Sequence, residues 1–300
     1  MTTLENIYSK AINNEFNISI TGDIGSGKST ISKLLAEKLN MEIIDSGQLY
    51  RKFAEEKNLN VLEQNKSDDH SIDVKIDTYI EEVGKTKTNV LFVSRLAWYF
   101  VPNSIKIYLK VNPILAAERI AKDVRIGEEH KSAEETLEYN YNRKQLELDR
   151  YKQMYSIDDP SGYSNADIIC DIGYNSIEEV VDVLYNAIIH RDFGYYVDPK
   201  VLLPTQGIRD YNVGCFEKYM EEYKCLNEVD AILNYYKDCT YIKDGHHRIA
   251  ACIKLGKKFI KVPSPIKSYR IEDITTPYDY EDFVGIKDNK SYILHCSYNK

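Results

Sequence analysis

The sequence predicts an α/β fold, a parallel sheet covered by helices, followed by a smaller α+β unit. Three observations predict it. Short apolar runs alternate with longer stretches of helical spacing from Phe16 to about Ile189. Those runs lack in/out alternation, as strands buried on both faces of a parallel sheet do. "HRDFGYYVDPK" (residues 190–200) then mixes Gly, Pro, charge and aromatics, and beyond it the order of elements changes.

Taken in order, residues 4–13 have the pattern of a short amphipathic helix. "FNISIT" (Phe16–Thr21) is a β-rich run ending at the glycine loop. "KSTISKLLAEKLN" spaces Ile31, Leu34, Leu35 and Leu39 as a helix does. "MEIID" is a second strand, "GQLYRKFAEEKN" a helix and "IDVKIDTYIEEVGK" another. "NVLFVS" and "SIKIYLKV" are buried strands. In "NPILAAERIAKDV", Asn112 is placed to cap a helix with Pro113 in its first position. A long charged helix covers about residues 132–154, "ADIICDI" is the last strand, and "NSIEEVVDVLYNAII" closes the unit as a helix. The domain junction is placed in 190–200, giving domains of 1–192 and 195–300. In the second, "VLLPTQGIRD", "VDAILNYY", "CTYIKDG" and "KFIKVPS" read as strands, and "GCFEKYMEEYKC" and "HHRIAACIKLG" as helices.

The 300 residues suit one large or two medium domains, and 43% hydrophobic with 29% charged residues is ordinary for a globular chain. A formal net charge of −8 argues against a non-specific nucleic-acid binder. No apolar run reaches the length of a membrane span, and the N-terminus lacks an apolar signal core, so the expected compartment is the cytoplasm. The six cysteines form no Cys-x-x-Cys pair, which disfavours a zinc ribbon and leaves packed thiols as the plain reading.

Gly22-Asp23-Ile24-Gly25-Ser26-Gly27-Lys28-Ser29 fits G-x-x-x-x-G-K-[ST] in full, with a strand before it and a helix after it. Such glycines let backbone N–H groups turn inward around phosphates, and the following helix N-terminus, at Ser29 and Thr30, adds partial positive charge. Lys28 would reach the β- and γ-phosphates of ATP, and Ser29 would hold Mg²⁺. Asp23 is unusual in such a loop; it points outward or biases the magnesium. Asp45 ends the second strand, Gly47 lets the chain turn, and Arg51 follows one helical turn in, where it can clamp an anion. Asp45 has two readings, a magnesium or substrate ligand and an ordinary residue at a helix start.

On these residues the chain resembles the cytidylate kinases, especially the short archaeal-type members, over about residues 16–190. The likeness runs through "IIDSGQLYRKFAEE", "VSRLAWYF", "SIKIYLKVNPILAAERIAKDV" and "NRKQLELDRYKQMYSIDDPSGYSNADIICDI". It implies a P-loop kinase with a helical lid that uses ATP and Mg²⁺ on a nucleotide or other small-molecule acceptor. Asp45, Arg51 and Arg95 would bind the acceptor. Lys28 and the lid arginines Arg119, Arg125, Arg143 and Arg150 would act on the transferring phosphoryl group; Arg143 and Arg150, seven apart, share one helical face. The competing reading of Arg51 and Arg143 is an i,i+4 pair with Glu55 and Glu147, worth only about 0.3–0.5 kcal/mol. The chain departs from the family at Val93 and Ser94, where an acidic residue and glycine are usual before the arginine, and at Lys144, where glutamate is usual. A hydroxyl acceptor other than CMP therefore stays open.

"TYIKDGHHRIAACIKLGKKFI", with Pro204-Thr205-Gln206 upstream, resembles the ParB/sulfiredoxin-like superfamily at its strand–helix joint. The likeness implies that Asp244, Gly245, His246, His247 and Arg248 face a nucleotide or phosphorylated ligand. Adjacent histidines point about 100° apart on a helix, which makes a poor metal pair and leaves one of them structural. Asp244 is read equally as a helix cap. His246 stands where sulfiredoxin chemistry needs a cysteine, which disfavours that activity, and no helix-turn-helix pattern follows. The second domain is expected either to catalyse, as a free-serine-type kinase, or to sense a nucleotide and gate the first.

Overall fold

A computed structural model describes residues 15–56, 71–122, 132–205, 213–236 and 239–267. The expected helix at 4–13, Gln206 and Arg125 lie outside the described residues. The chain divides into two compact units: Met1–Leu109 with Asn142–Ile169 and Leu184–Arg191, and Lys110–Tyr141 with Cys170–Val183 and Asp192–Lys300.

The first unit is built on parallel strands. β1 (Ile18–Gly22) is flanked by β3 (Val90–Val93) and β4 (Ile105–Lys110), β2 (Glu42–Asp45) pairs outside β3, and β5 (Ile168–Asp171) lies beside β4. β1 and β3 are buried at every position, which is why their sequences are apolar without alternation. β2 is the edge, and its first two residues, Glu42 and Ile43, are exposed. Helix α1 (Lys28–Leu39) follows β1, and α2 (Ser46–Glu56) follows β2. Helix α3 (Ser71–Thr86) turns Ile72, Ile76, Ile80 and Val83 onto Ile44, Val90 and Phe92. Each such side chain, fully buried, is worth about 1.5–3 kcal/mol. Ala97 of the short helix α4 (Ala97–Phe100) and Val101 join that core. Helix α6 (Ala133–Tyr155) lays its C-terminal half in this unit, and Tyr155 meets Phe100 edge to face.

The second unit holds α5 (Pro113–Lys122), whose first turn is capped as its sequence predicts. Asn112 Oδ1 accepts the Ile114 N–H at 3.0 Å, with Pro113 in the first helical position. β6 (Gly194–Val197) lies beside the end of β5 and pairs antiparallel with β10 (Ile260–Val262). This corrects the irregular reading of 190–200: Tyr195, Tyr196 and Val197 are buried strand residues. A four-residue strand is too short to show a period, and it is the ladder with β10 that makes it extended. Helix α7 (Ile177–His190) begins in this unit. A separate four-stranded sheet has the order β11-β8-β9-β7, with β7 at Leu203–Pro204, β8 at Ile232–Tyr236, β9 at Cys239–Asp244 and β11 at Ile266–Lys267. Helix α8 (Val213–Glu222) packs against α9 (His246–Lys254), which buries Ile249, Ala250, Ala251, Cys252 and Ile253. One charge pair is buried here. Lys110 Nζ donates to Asp171, to which the Tyr195 hydroxyl also donates at 3.1 Å, and Lys110 reaches Thr240 Oγ1 at 3.2 Å. Among the described residues no helix is long and apolar enough to cross a membrane, and Cys170, Cys239 and Cys252 are buried free thiols.

Candidate active site

The phosphate cradle begins where β1 ends. A Cβ on Gly22 would lie 2.3 Å from the Leu109 carbonyl oxygen, so only glycine fits this register. Gly27 sits at φ 72° as the N-terminal cap of α1, with no side chain closing the helix end. The Thr30 and Ile31 N–H groups close on the Gly27 carbonyl at 3.1 and 3.0 Å, which starts the helix at the loop and sets its positive end there, as suits a phosphate. Ser26 Oγ turns inward and donates to the Asp23 carbonyl at 2.8 Å, while Ser29 and Thr30 are exposed.

Two cations converge on one backbone oxygen. Lys28 Nζ donates to the Gly22 carbonyl at 2.8 Å and to the Asp23 carbonyl at 2.9 Å; Arg95 Nη1 donates to the same Gly22 carbonyl at 2.6 Å. Burial, and then the Arg95 charge beside it, pull the Lys28 ammonium down to about 7; Asp23 and Glu147 oppose this. Asp23 Oδ1 accepts the Tyr108 hydroxyl at 2.6 Å.

Arg95 is held from its other side by Glu147 of α6. Glu147 Oε2 lies 3.0 Å from Arg95 Nε, and Oε1 takes Arg143 Nε at 3.1 Å. Burial works against the Glu147 charge, but Arg95, Arg143, Arg150 and Lys28 outweigh it and keep the carboxyl below its usual range. Arg150 pairs with Asp73 of α3 at 3.7 Å and stacks over Tyr151. Asp77, one turn on from Asp73, accepts the Tyr155 hydroxyl at 2.7 Å; burial pushes its carboxyl up to about 6. Asp45 Oδ1 accepts the N–H groups of Gly47 (2.8 Å) and Gln48 (3.3 Å), closing the start of α2. Arg51 is exposed, with its Nη1 over Gly47.

So Lys28, Arg95 and Arg143 are joined in one chain of contacts in the first unit, with Glu147 at its centre, while Arg150 is held apart from it by Asp73. The Arg143–Glu147 pair weighed as a bare i,i+4 contact is real, but the same carboxylate also takes Arg95, 52 residues away. Glu147 was not singled out from sequence. Its signal was there in the spacing of Arg143, Glu147 and Arg150 on one helix face. Arg119 makes its own contact in the second unit, donating from Nη2 to the Gly173 carbonyl.

A model described as "AAA domain" matches residues 18–145. The chain is 35% identical over 178 residues to a cytidylate kinase of Methanosarcina barkeri, covering 57% of this chain and 95% of that protein. The N-terminal part of the chain belongs to the cytidylate kinase family. A cytidylate kinase of Methanocella arvoryzae is 34% identical over 175 residues (57% and 95% covered), and that of Archaeoglobus fulgidus 32% over 174 (57% and 93%). This cytidylate-kinase-family chain is an ATP-dependent kinase.

In the second unit, Tyr219, Asp244, Gly245, His246, His247 and Arg248 line one pocket. The cap of α9 is Gly245, at φ 93° and without a side-chain bond, so Asp244 does not cap the helix; its side chain is exposed. His246 is buried, and its Nε2 accepts the Thr205 N–H at 3.2 Å, while Thr205 Oγ1 donates to the Ile242 carbonyl at 2.7 Å. Its ring ties the Pro204-Thr205 strand to the helix start. Arg248 donates from Nη1 to the Asp230 carbonyl and lies over the Tyr219 ring.

Proposed function

We propose that the enzyme transfers the γ-phosphoryl group of ATP to a nucleoside monophosphate of the CMP or dCMP type. The observation that carries this reading is the convergence of Lys28 and Arg95 on the Gly22 carbonyl, backed by Arg143 and Arg150 on α6. A half-buried Lys28 ammonium whose hydrogen bonds go to neutral carbonyls is poised for a charged phosphate, since charge-assisted hydrogen bonds are roughly twice as strong as neutral ones. The curated relatives named cytidylate kinase support the choice of acceptor. In this reading the loop from Gly22 to Thr30 binds ATP, Asp45, Arg51 and Arg95 receive the acceptor, and Arg119 and Arg125 belong to the lid. The Ser29 hydroxyl and the Asp45 carboxylate are oxygen donors that suit a hard cation, and would hold Mg²⁺. Bound there, Mg²⁺ would neutralise phosphate charge. The kinase activity is assigned to residues 1–192, in the cytoplasm, and a ligand site of the ParB/sulfiredoxin-like kind to 195–300.

The test is a mass-spectrometric acceptor screen with ATP, Mg²⁺, nucleoside monophosphates, modified nucleosides and hydroxy amino acids. CMP and dCMP should gain a phosphoryl group, and Lys28→Ala should lower the rate by on the order of 10²–10³. Transfer to a hydroxy amino acid alone would overturn the acceptor; transfer undiminished in Lys28→Ala would overturn the site. The pocket around Asp244 and Arg248 supports a second, nucleotide-sensing role. Residual product in Lys28→Ala that vanishes on adding Arg248→Ala would mark that pocket as a catalyst instead.

A further inference from the structure

We propose that Glu147 is the positioning residue of the transfer site, setting Arg95 and Arg143 against the phosphate loop from helix α6. The inference rests on the phosphoryl-transfer reading above. Arg95 is fixed at both ends of its guanidinium. Nε and Nη2 meet the two Glu147 oxygens at 3.0 and 3.5 Å, and Nη1 reaches the Gly22 carbonyl at 2.6 Å. A planar fork held at three nitrogens has one orientation left. The same carboxylate takes Arg143 at 3.1 Å, so one residue sets two arginines that come from different elements.

The contact differs in kind from a surface pair. The Glu147 side chain is 15% exposed and that of Arg95 24%. Lys28, Arg95, Arg143 and Arg150 all act on Glu147. Its carboxylate therefore does two jobs: it orients Arg95, and it holds Arg143 beside it. The chain puts no carboxylate at the two positions before Arg95, which are Val93 and Ser94. The carboxylate on the guanidinium comes from α6 instead, the element that also carries Arg143 and Arg150.

The experiment compares wild type, Glu147→Gln, Glu147→Asp, Arg95→Gln and the double variant Glu147→Gln/Arg95→Gln. Glu147→Gln should lower kcat about 10²-fold, the size of effect that roughly 1 Å of misplacement produces, with the KM for ATP nearly unchanged. Glu147→Asp, which keeps the charge, should recover part of the loss. In the Arg95→Gln background the 147 substitution should cost clearly less than it does in wild type, because only its effect through Arg143 remains. Independent multiplication of the two losses, or wild-type kcat in Glu147→Gln, overturns the proposal and leaves the kinase reading intact. Should Glu147→Gln fail to fold by circular dichroism, Glu147→Asp with and without Arg95→Gln gives the same comparison. A readout free of turnover separates the two readings. In ¹⁵N-arginine spectra the Arg95 Nε–H should be protected from exchange in wild type and lose protection in the 147 variant. If the wild type transfers no phosphoryl group and that protection still depends on Glu147, the function reading fails and the clamp stands; protection independent of Glu147 overturns the clamp.

Discussion

Replacing Asp77 with Asn should make the first unit more stable at neutral pH and remove part of its pH dependence. Asp77 is 8% exposed on α3, and the Tyr155 hydroxyl donates to its Oδ2 at 2.7 Å. Burial raises its carboxyl from 3.8 to about 6; the Asp73 charge one turn earlier adds to this, while the Tyr155 bond and Arg150 oppose it. A carboxyl with a raised folded pKa binds its proton more tightly in the native state. Between about pH 4 and 6 the native chain therefore holds more protons than the unfolded one, and stability falls as pH rises through that window. The rise is about two pH units, and each is worth about 1.36 kcal/mol, so the loss by neutral pH is on the order of 3 kcal/mol. Asn cannot ionise, and its carbonyl still accepts from Tyr155. Asp77→Asn should gain up to that amount at pH 7.5 and nothing at pH 4. The assay is urea unfolding followed by Trp98, the one tryptophan of the chain, whose Nε1 donates to the Pro160 carbonyl in the first unit. Asp198, also raised to about 6, lies in the second unit and should not enter this signal. A variant no more stable than wild type at pH 7.5, or a gain that is the same at both pH values, would refute the reasoning.

Gly22→Ala should abolish ATP binding, measured by calorimetry, because its Cβ cannot sit 2.3 Å from the Leu109 oxygen without moving the loop. Normal affinity in a folded Gly22→Ala chain would contradict the cradle geometry. His246→Ala should destabilise the second unit by about 1–3 kcal/mol, since it removes the ring nitrogen that accepts the Thr205 N–H; hydrogen exchange at Thr205 should rise with it. If Arg95 meets the acceptor's phosphate as proposed, Arg95→Gln should lower kcat/KM by on the order of 10²–10³ for every nucleoside monophosphate accepted and leave their ratios unchanged. A change in the CMP-to-UMP ratio in steady-state assays would give Arg95 a different role.

The fold was legible where structure is local. Buried parallel strands announce themselves as unbroken apolar runs, and β1, β3 and β4 sit where those runs do. The cap at Asn112 needs only two adjacent residues to be recognised. β6 was hidden because its conformation depends on β10, more than sixty residues later, and its own residues are aromatics beside glycine. The tie between His246 and Thr205 was hidden for the same reason. It depends on β7 lying beside β9, which no spacing within either segment records.

The two ends of the site are written differently in the sequence. The donor end is backbone geometry. Amides and a carbonyl must stand at fixed places, so glycines recur at fixed spacing and the loop appears as a motif. The acceptor end is charge geometry. An arginine needs a carboxylate within about 3 Å, and any element that reaches it can supply one. Here α6 supplies it through Glu147, on the helix that also carries Arg143 and Arg150. A carboxylate supplied by another element does not show as a neighbour of Arg95 in the sequence. The same reasoning separates affinity from choice. Arginines hold any phosphate monoester alike, so discrimination among acceptors has to rest on groups that touch the rest of the molecule.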